Sequence, residues 1–169
     1  MHRLLFSAAL LLALPLASGC DDALVDPDEA AVGAATPEVS ASRLPGADHG
    51  GRPLAATLTG EAEVPGPGDP DGSGTARVTL NVGQREVCFV LTAEDIEPAT
   101  AAHIHEGEAG AAGPVAVGLE PPTDGMSSGC VADVDRDLIR EILRDPSGYY
   151  VNVHNAEYPA GAIRGQLGR

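Results

Sequence analysis

The chain has no tryptophan and no lysine, only two phenylalanines and three tyrosines, and three cysteines among its 169 residues. With so few rings, a core has to be built from Val, Leu, Ile and Ala. Without lysine, the basic groups are ten arginines against 25 acidic residues, a formal net charge of −15. Nucleic acid and anionic membrane surfaces both need a positive footprint, so neither is expected as a partner. A long apolar run is also missing. The one sustained stretch, LLFSAALLLALPLA at residues 4–17, is too short to span a bilayer and has no stop-transfer flank.

That stretch follows a short basic start, His2 and Arg3, and ends in small residues just before Cys20. Residues 1–19 therefore read as a secretory signal. The ending ASGC resembles a bacterial lipobox, in which the cysteine is lipidated and becomes the mature N-terminus. Ala17 stands where the motif usually has an aliphatic residue, and Leu16 lies one place further out. An export signal that is simply cleaved near a cysteine is the alternative. Asp21 after the cysteine resembles the retention signal of two-membrane envelopes and points to the inner membrane. Cysteine arithmetic favours lipid on Cys20: three is an odd number for an exported chain, but removing Cys20 leaves the even pair Cys88 and Cys130. Export favours their oxidation to a disulfide over two buried thiols.

Residues 20–52 read as a lipidated cysteine and a tether, rich in Ala, Asp, Pro and Gly and without aromatics or sustained apolar period. From residue 53 to 169 the pattern becomes short strands between Gly and Pro punctuation. Residues 74–82 alternate, with Ala76, Val78, Leu80 and Val82 on one face and Thr75, Arg77, Thr79 and Asn81 on the other. Residues 86–92 are apolar on both faces, which suits a central strand. Further strands are expected over 54–59, 101–105, 115–119, 129–134, 149–154 and 162–167. In 135–144 the residues Leu138, Ile139, Ile142 and Leu143 form one helical stripe, with acids early and arginines late to match the macrodipole. Such a helix is expected to cross over and plug one end of an all-β sandwich.

Two histidines stand two apart, His103 and His105, and a third, His154, ends a later strand. Alternation on a strand puts the first two imidazoles on one face, Cβ atoms roughly 7 Å apart, with Ile104 pointing into the other layer. An H-x-H pair plus a histidine from another strand is how a three-histidine copper or zinc site is built. Glu106 is a candidate outer partner for the imidazoles, and Glu106 or Glu108 a candidate fourth ligand. The alternative is structural: imidazoles that hydrogen-bond loop carbonyls and lock residues 107–114 against the last hairpin.

An ordered set of residues also carries a resemblance. Leu58-Thr59-Gly60 with Glu63-Val64-Pro65, Gly74-Thr75-Ala76, Cys88, His103-Ile104-His105, Gly107, Gly110, Gly113-Pro114-Val115, Tyr150-Val151-Asn152-Val153-His154, Pro159, Gly161 and Ile163-Arg164-Gly165-Gln166 resemble the CHRD domain, the chordin-type module of many bacterial secreted proteins. The likeness runs from about 54 to 167. Two positions depart: Asn155 replaces a small hydroxyl residue, and Ala162 replaces an acid that could pair with Arg164. The resemblance implies an antiparallel Greek-key β-sandwich, immunoglobulin-like or Cu,Zn superoxide dismutase-like, and brings no established enzymatic activity with it.

Other motifs fail on context. Gly125-Met126-Ser127-Ser128-Gly129 fits G-x-S-x-G, but a nucleophile elbow needs a strand-to-helix turn in an α/β sheet, and here the string leads into a strand. Asp69, Asp71 and Ser73 space oxygens like half a calcium loop, but Leu80 stands where the bidentate glutamate belongs. Three nearby histidines are too few for a binuclear copper and zinc set, and an acidic surface is a poor funnel for an anionic radical, so dismutase activity is not expected.

The sequence thus points to a non-catalytic, lipid-anchored module in the bacterial cell envelope, exported and membrane-attached through its N-terminal lipid alone. Its role there would be binding or scaffolding of a protein or other envelope ligand. The alternative is an envelope protein that binds Cu or Zn through His103, His105 and His154.

Overall fold

In the computed structural model, which describes residues 51–169, the alternating segments form eight antiparallel strands. They are β1 (Arg52–Thr59), β2 (Ser73–Asn81), β3 (Glu86–Glu94), β4 (Ala99–Glu106), β5 (Val115–Leu119), β6 (Met126–Val131), β7 (Tyr149–Asn155) and β8 (Ile163–Gln166), with helix α1 (Arg136–Arg144) between β6 and β7. The expected signal segment, Cys20 and the tether as far as residue 50 lie outside the described residues. Arg52, the last residue assigned to the tether, is the first of β1.

The strands lie in the order β5-β4-β7-β8-β1-β2-β3-β6. The chain leaves β3 for β4 on the far side of the sheet and returns through β6 to pair with β3, a Greek-key path. The sheet curls until its edges, β5 and β6, approach each other, giving a nearly closed barrel or sandwich. Ser127 Oγ on β6 donates to Glu120 O beyond β5 at 2.7 Å, a clasp across that seam.

Alternation decides what fills the interior. Leu54, Ala56 and Leu58 on β1, Ala76, Val78 and Leu80 on β2, and Val87, Phe89 and Leu91 on β3 are all buried, while their odd neighbours on β1 are exposed. With only about 25 cal/mol gained per Å² of apolar burial, a core of small aliphatics needs many contributors. α1 adds Ile139 and Ile142, both at 0 % exposure. Asp135 caps that helix, its Oδ1 accepting from the amides of Asp137 and Leu138 at 2.7 and 3.2 Å. Cys88 and Cys130 face each other directly in the β3–β6 register and form the expected disulfide, Cα atoms 3.9 Å apart.

Two expectations need adjustment. The sixth strand spans Met126–Val131 rather than 129–134, because pairing of Thr92 with Met126 sets its start and the chain turns away after Val131. β3 is paired on both sides, by β2 and β6, but β6 is an edge, so β3 lies one strand from the end of the sheet.

Candidate metal centre

The face of β4, β7 and β8 that turns away from the core is polar. Ile104, Val151, Val153 and Ile163 go inward at 0 % exposure. Their neighbours His103 and His105, Tyr150, Asn152 and His154, and Arg164 therefore share the outer face. The registers align them across strands: His103 opposite Asn152, His105 opposite Tyr150, and Asn152 opposite Arg164. This face is covered by the segment after β4. His105 Nδ1 donates to Gly113 O at 2.9 Å, the Tyr150 hydroxyl accepts from Gly113 N at 3.3 Å, and Gln166 Nε2 donates to Gly107 O at 2.6 Å.

The three imidazoles meet at one rim of this layer, as alternation predicts. One ring nitrogen from each lies within 4.8 Å of the other two. His103 Nδ1 and His154 Nε2 are 3.2 Å apart, close to the ~3.4 Å that separates two nitrogens bound at ~2.1 Å to one tetrahedral ion. His105 is buried and His103 and His154 are half-buried.

Carbonyl partners fix the protons of two of the imidazoles. A carbonyl only accepts, so the contact to Gly113 O puts the His105 proton on Nδ1 and leaves Nε2 as a lone pair. That Nε2 is buried with no partner. His154 lies between two carbonyl oxygens, Pro159 O at 3.2 Å from Nδ1 and Asn152 Oδ1 at 3.1 Å from Nε2. A neutral imidazole has one N–H and can satisfy only one of them. A second proton would satisfy both, but burial, with neighbouring imidazoles, holds His154 and His103 below the ordinary histidine range. His103 Nδ1 and His154 Nε2 are in hydrogen-bond contact and share a proton in the ion-free cluster, whereas the His105 Nε2 lone pair beside them has none; a cation can take all three nitrogens, and an all-imidazole set suits Zn²⁺ or Cu²⁺.

The residues named from sequence divide cleanly. His103, His105 and His154 come together. Glu106 does not join them: it follows Ile104 to the opposite face, where it lines a groove with Glu141, Arg144 and Asp145. Glu108 has an exposed side chain, and its carbonyl, not its carboxylate, takes part by accepting from Arg164 at 2.9 Å. Asn152 occupies the place beside the imidazoles instead. Ser127 is in β6 with its hydroxyl committed to Glu120 O, and Leu80 is buried in β2, so neither the elbow nor the calcium loop forms.

A family model for the CHRD domain matches residues 54–167, which includes every residue of this polar face. The chain belongs to the CHRD domain family. No curated protein and no solved structure matches it. In this CHRD chain the departure at Asn155 has a visible use: Asn155 Oδ1 accepts from Tyr158 N at 2.7 Å and shapes the β7–β8 turn that brings Pro159 O to His154.

Sequence reasoning passed over Asn152, Tyr150 and Glu63 as members of the site. The first two were within reach, since alternation in Tyr150-Val151-Asn152-Val153-His154 puts them on the face of His154. Glu63 was not, because it arrives from a segment with no strand period. Glu63 is 5 % exposed, and burial raises its carboxyl to about 7 against the pull of the Val64 amide, Arg164 and Asn152.

Proposed function

We propose that this CHRD module is an exported envelope protein, held to the membrane by lipid on Cys20, that binds Cu²⁺ or Zn²⁺ through His103, His105 and His154 without catalytic turnover. The observation that carries the metal assignment is the buried, unpartnered Nε2 of His105 within reach of two other imidazoles. Outer partners support it. The carbonyls of Gly113 and Pro159 hold the far nitrogens of His105 and His154, the arrangement that orients imidazole ligands in metal sites. Exposure of the cluster's rim gives an ion a path from solvent.

Ligation needs neutral imidazoles, so affinity falls as acid protonates them. Because His103 and His154 are held below 6.5, that fall is expected at a lower pH than for free histidine.

A second reading rests on the same two carbonyl contacts: the histidines clamp the 107–114 segment and the β7–β8 turn and do nothing more. Metal analysis and calorimetry of the full chain with Zn²⁺ and Cu²⁺ separate the two. The metal reading expects one ion per chain and its loss in His154→Ala, with His103→Ala as a second variant that leaves both carbonyl contacts intact. A chain that takes up no ion at neutral pH removes the metal site and leaves the clamp.

A further inference from the structure

One strand beyond the histidines, β8 carries Arg164 on the same polar face, 1 % exposed and among the largest fully buried side chains of the described residues. Its Nη2 donates to Glu108 O, and its guanidinium carbon lies 3.4 Å from the centre of the Tyr150 ring. Its Nη1 has no partner. A buried guanidinium without a fully charged counter-ion is costly, which makes this nitrogen an anchor for an anion.

The carboxyl that acts on Arg164 is Glu63, and its Oε1 is also buried without a partner. Gly161, at φ 148°, packs so closely that a Cβ there would run into this carboxyl. Between segments 61–64 and 109–110 opens a cleft of about 260 Å³, lined by Glu63, Arg164 and Gln166, walled by Ala62, Val64 and Ala109, and bordered by the exposed Glu61. Two unpartnered buried polar groups and a short aliphatic wall describe a small-molecule site.

We infer that this cleft binds a small carboxylate, one oxygen accepting from Arg164 Nη1 and the other from the protonated carboxyl of Glu63. Two carboxyl groups beside one guanidinium are compatible when they share a proton. Glu63, at about 7, holds that proton in a sizeable share of molecules at neutral pH. Of the groups packed on it, Asn152 from β7 is neutral and Arg164 from β8 is permanently charged, while Glu61 in its own segment is exposed. The proton that moves on binding is therefore Glu63's own. The aliphatic wall favours a short organic acid or the end of a peptide chain over a tetrahedral inorganic anion. Nothing in this assignment depends on a metal at the histidines.

The test uses the metal-free full chain carrying Cys20→Ser, followed by the amide resonances of Gly110 and Gly161. The titrants are propionate, an Ala-ended peptide as free acid, the same peptide as C-terminal amide, and inorganic phosphate. Saturable shifts with propionate or the free acid are expected, abolished by Ala109→Leu, which fills the mouth from an exposed position. Equal affinities identify a free acid as the natural class; a peptide preference of about tenfold, ~1.4 kcal/mol, identifies a chain terminus. Wild-type binding should weaken about tenfold per pH unit above pH 7, and Glu63→Gln, which always offers a donor, should bind equally at pH 6 and pH 8. No saturable shift, or an equal response to the amide or to phosphate, overturns the assignment.

Discussion

At the scale of single residues, Glu63 and the histidines place opposite demands on pH. Folding raises the Glu63 carboxyl from 4.5 to about 7, so between these values the folded chain keeps a proton that the unfolded chain has released. The stability tied to that proton is fully present below 4.5 and is lost as pH rises through 7. For His103 and His154 the shift is downward. There the unfolded chain binds the extra proton, and stability falls as pH drops below 6.5. Glu63→Gln should therefore leave stability near pH 4.5 almost unchanged and raise it at pH 8 by on the order of 2 kcal/mol. Urea unfolding at the two pH values reads the difference, and equal gains at both would show that burial does not raise this carboxyl. Of this chemistry, the sequence disclosed the histidines because an i, i+2 pair has only one geometry on a strand. It concealed Glu63, because a loop residue acquires its neighbours from tertiary packing.

At the scale of elements, period was a good guide and boundaries were not. β2 was legible from its alternation alone, and its apolar face is buried throughout Ala76, Val78 and Leu80. α1 was legible from a single stripe and its charge gradient. β6 was displaced because nothing local fixes where it starts: Gly125, at φ 86°, makes the turn, Ala93 N donates to Gly125 O, and β3 dictates the register from there. That dependence makes the Cys88–Cys130 bridge the covalent tie of a strand whose ladder partner among the described residues is β3 alone. Closing a loop with a sequence separation of 42 is worth roughly 4 kcal/mol in the chain-entropy model. Replacing both cysteines by alanine should lower unfolding free energy by up to about that amount, measured by denaturant titration, with the largest gain in amide exchange along Met126–Val131. Unchanged stability and unchanged exchange in β6 would show that the bridge is incidental.

At the scale of the whole molecule, charge and composition restrict how the domain can meet a membrane. A formal charge of −15 without lysine repels an anionic lipid surface, and no helix among the described residues is long and apolar enough to cross a bilayer. Cys20 is the cysteine left over once Cys88 and Cys130 are paired, and lipid on it is the attachment proposed above. The lipid proposed for Cys20 would supply an apolar anchor. Cys20→Ser is accordingly expected to move the exported chain from the detergent-soluble membrane fraction to the soluble fraction, or to leave it uncleaved. Fractionation with anti-domain detection reads this directly, and a variant that is processed and sedimented like the parent would show that a different contact holds the protein at the membrane.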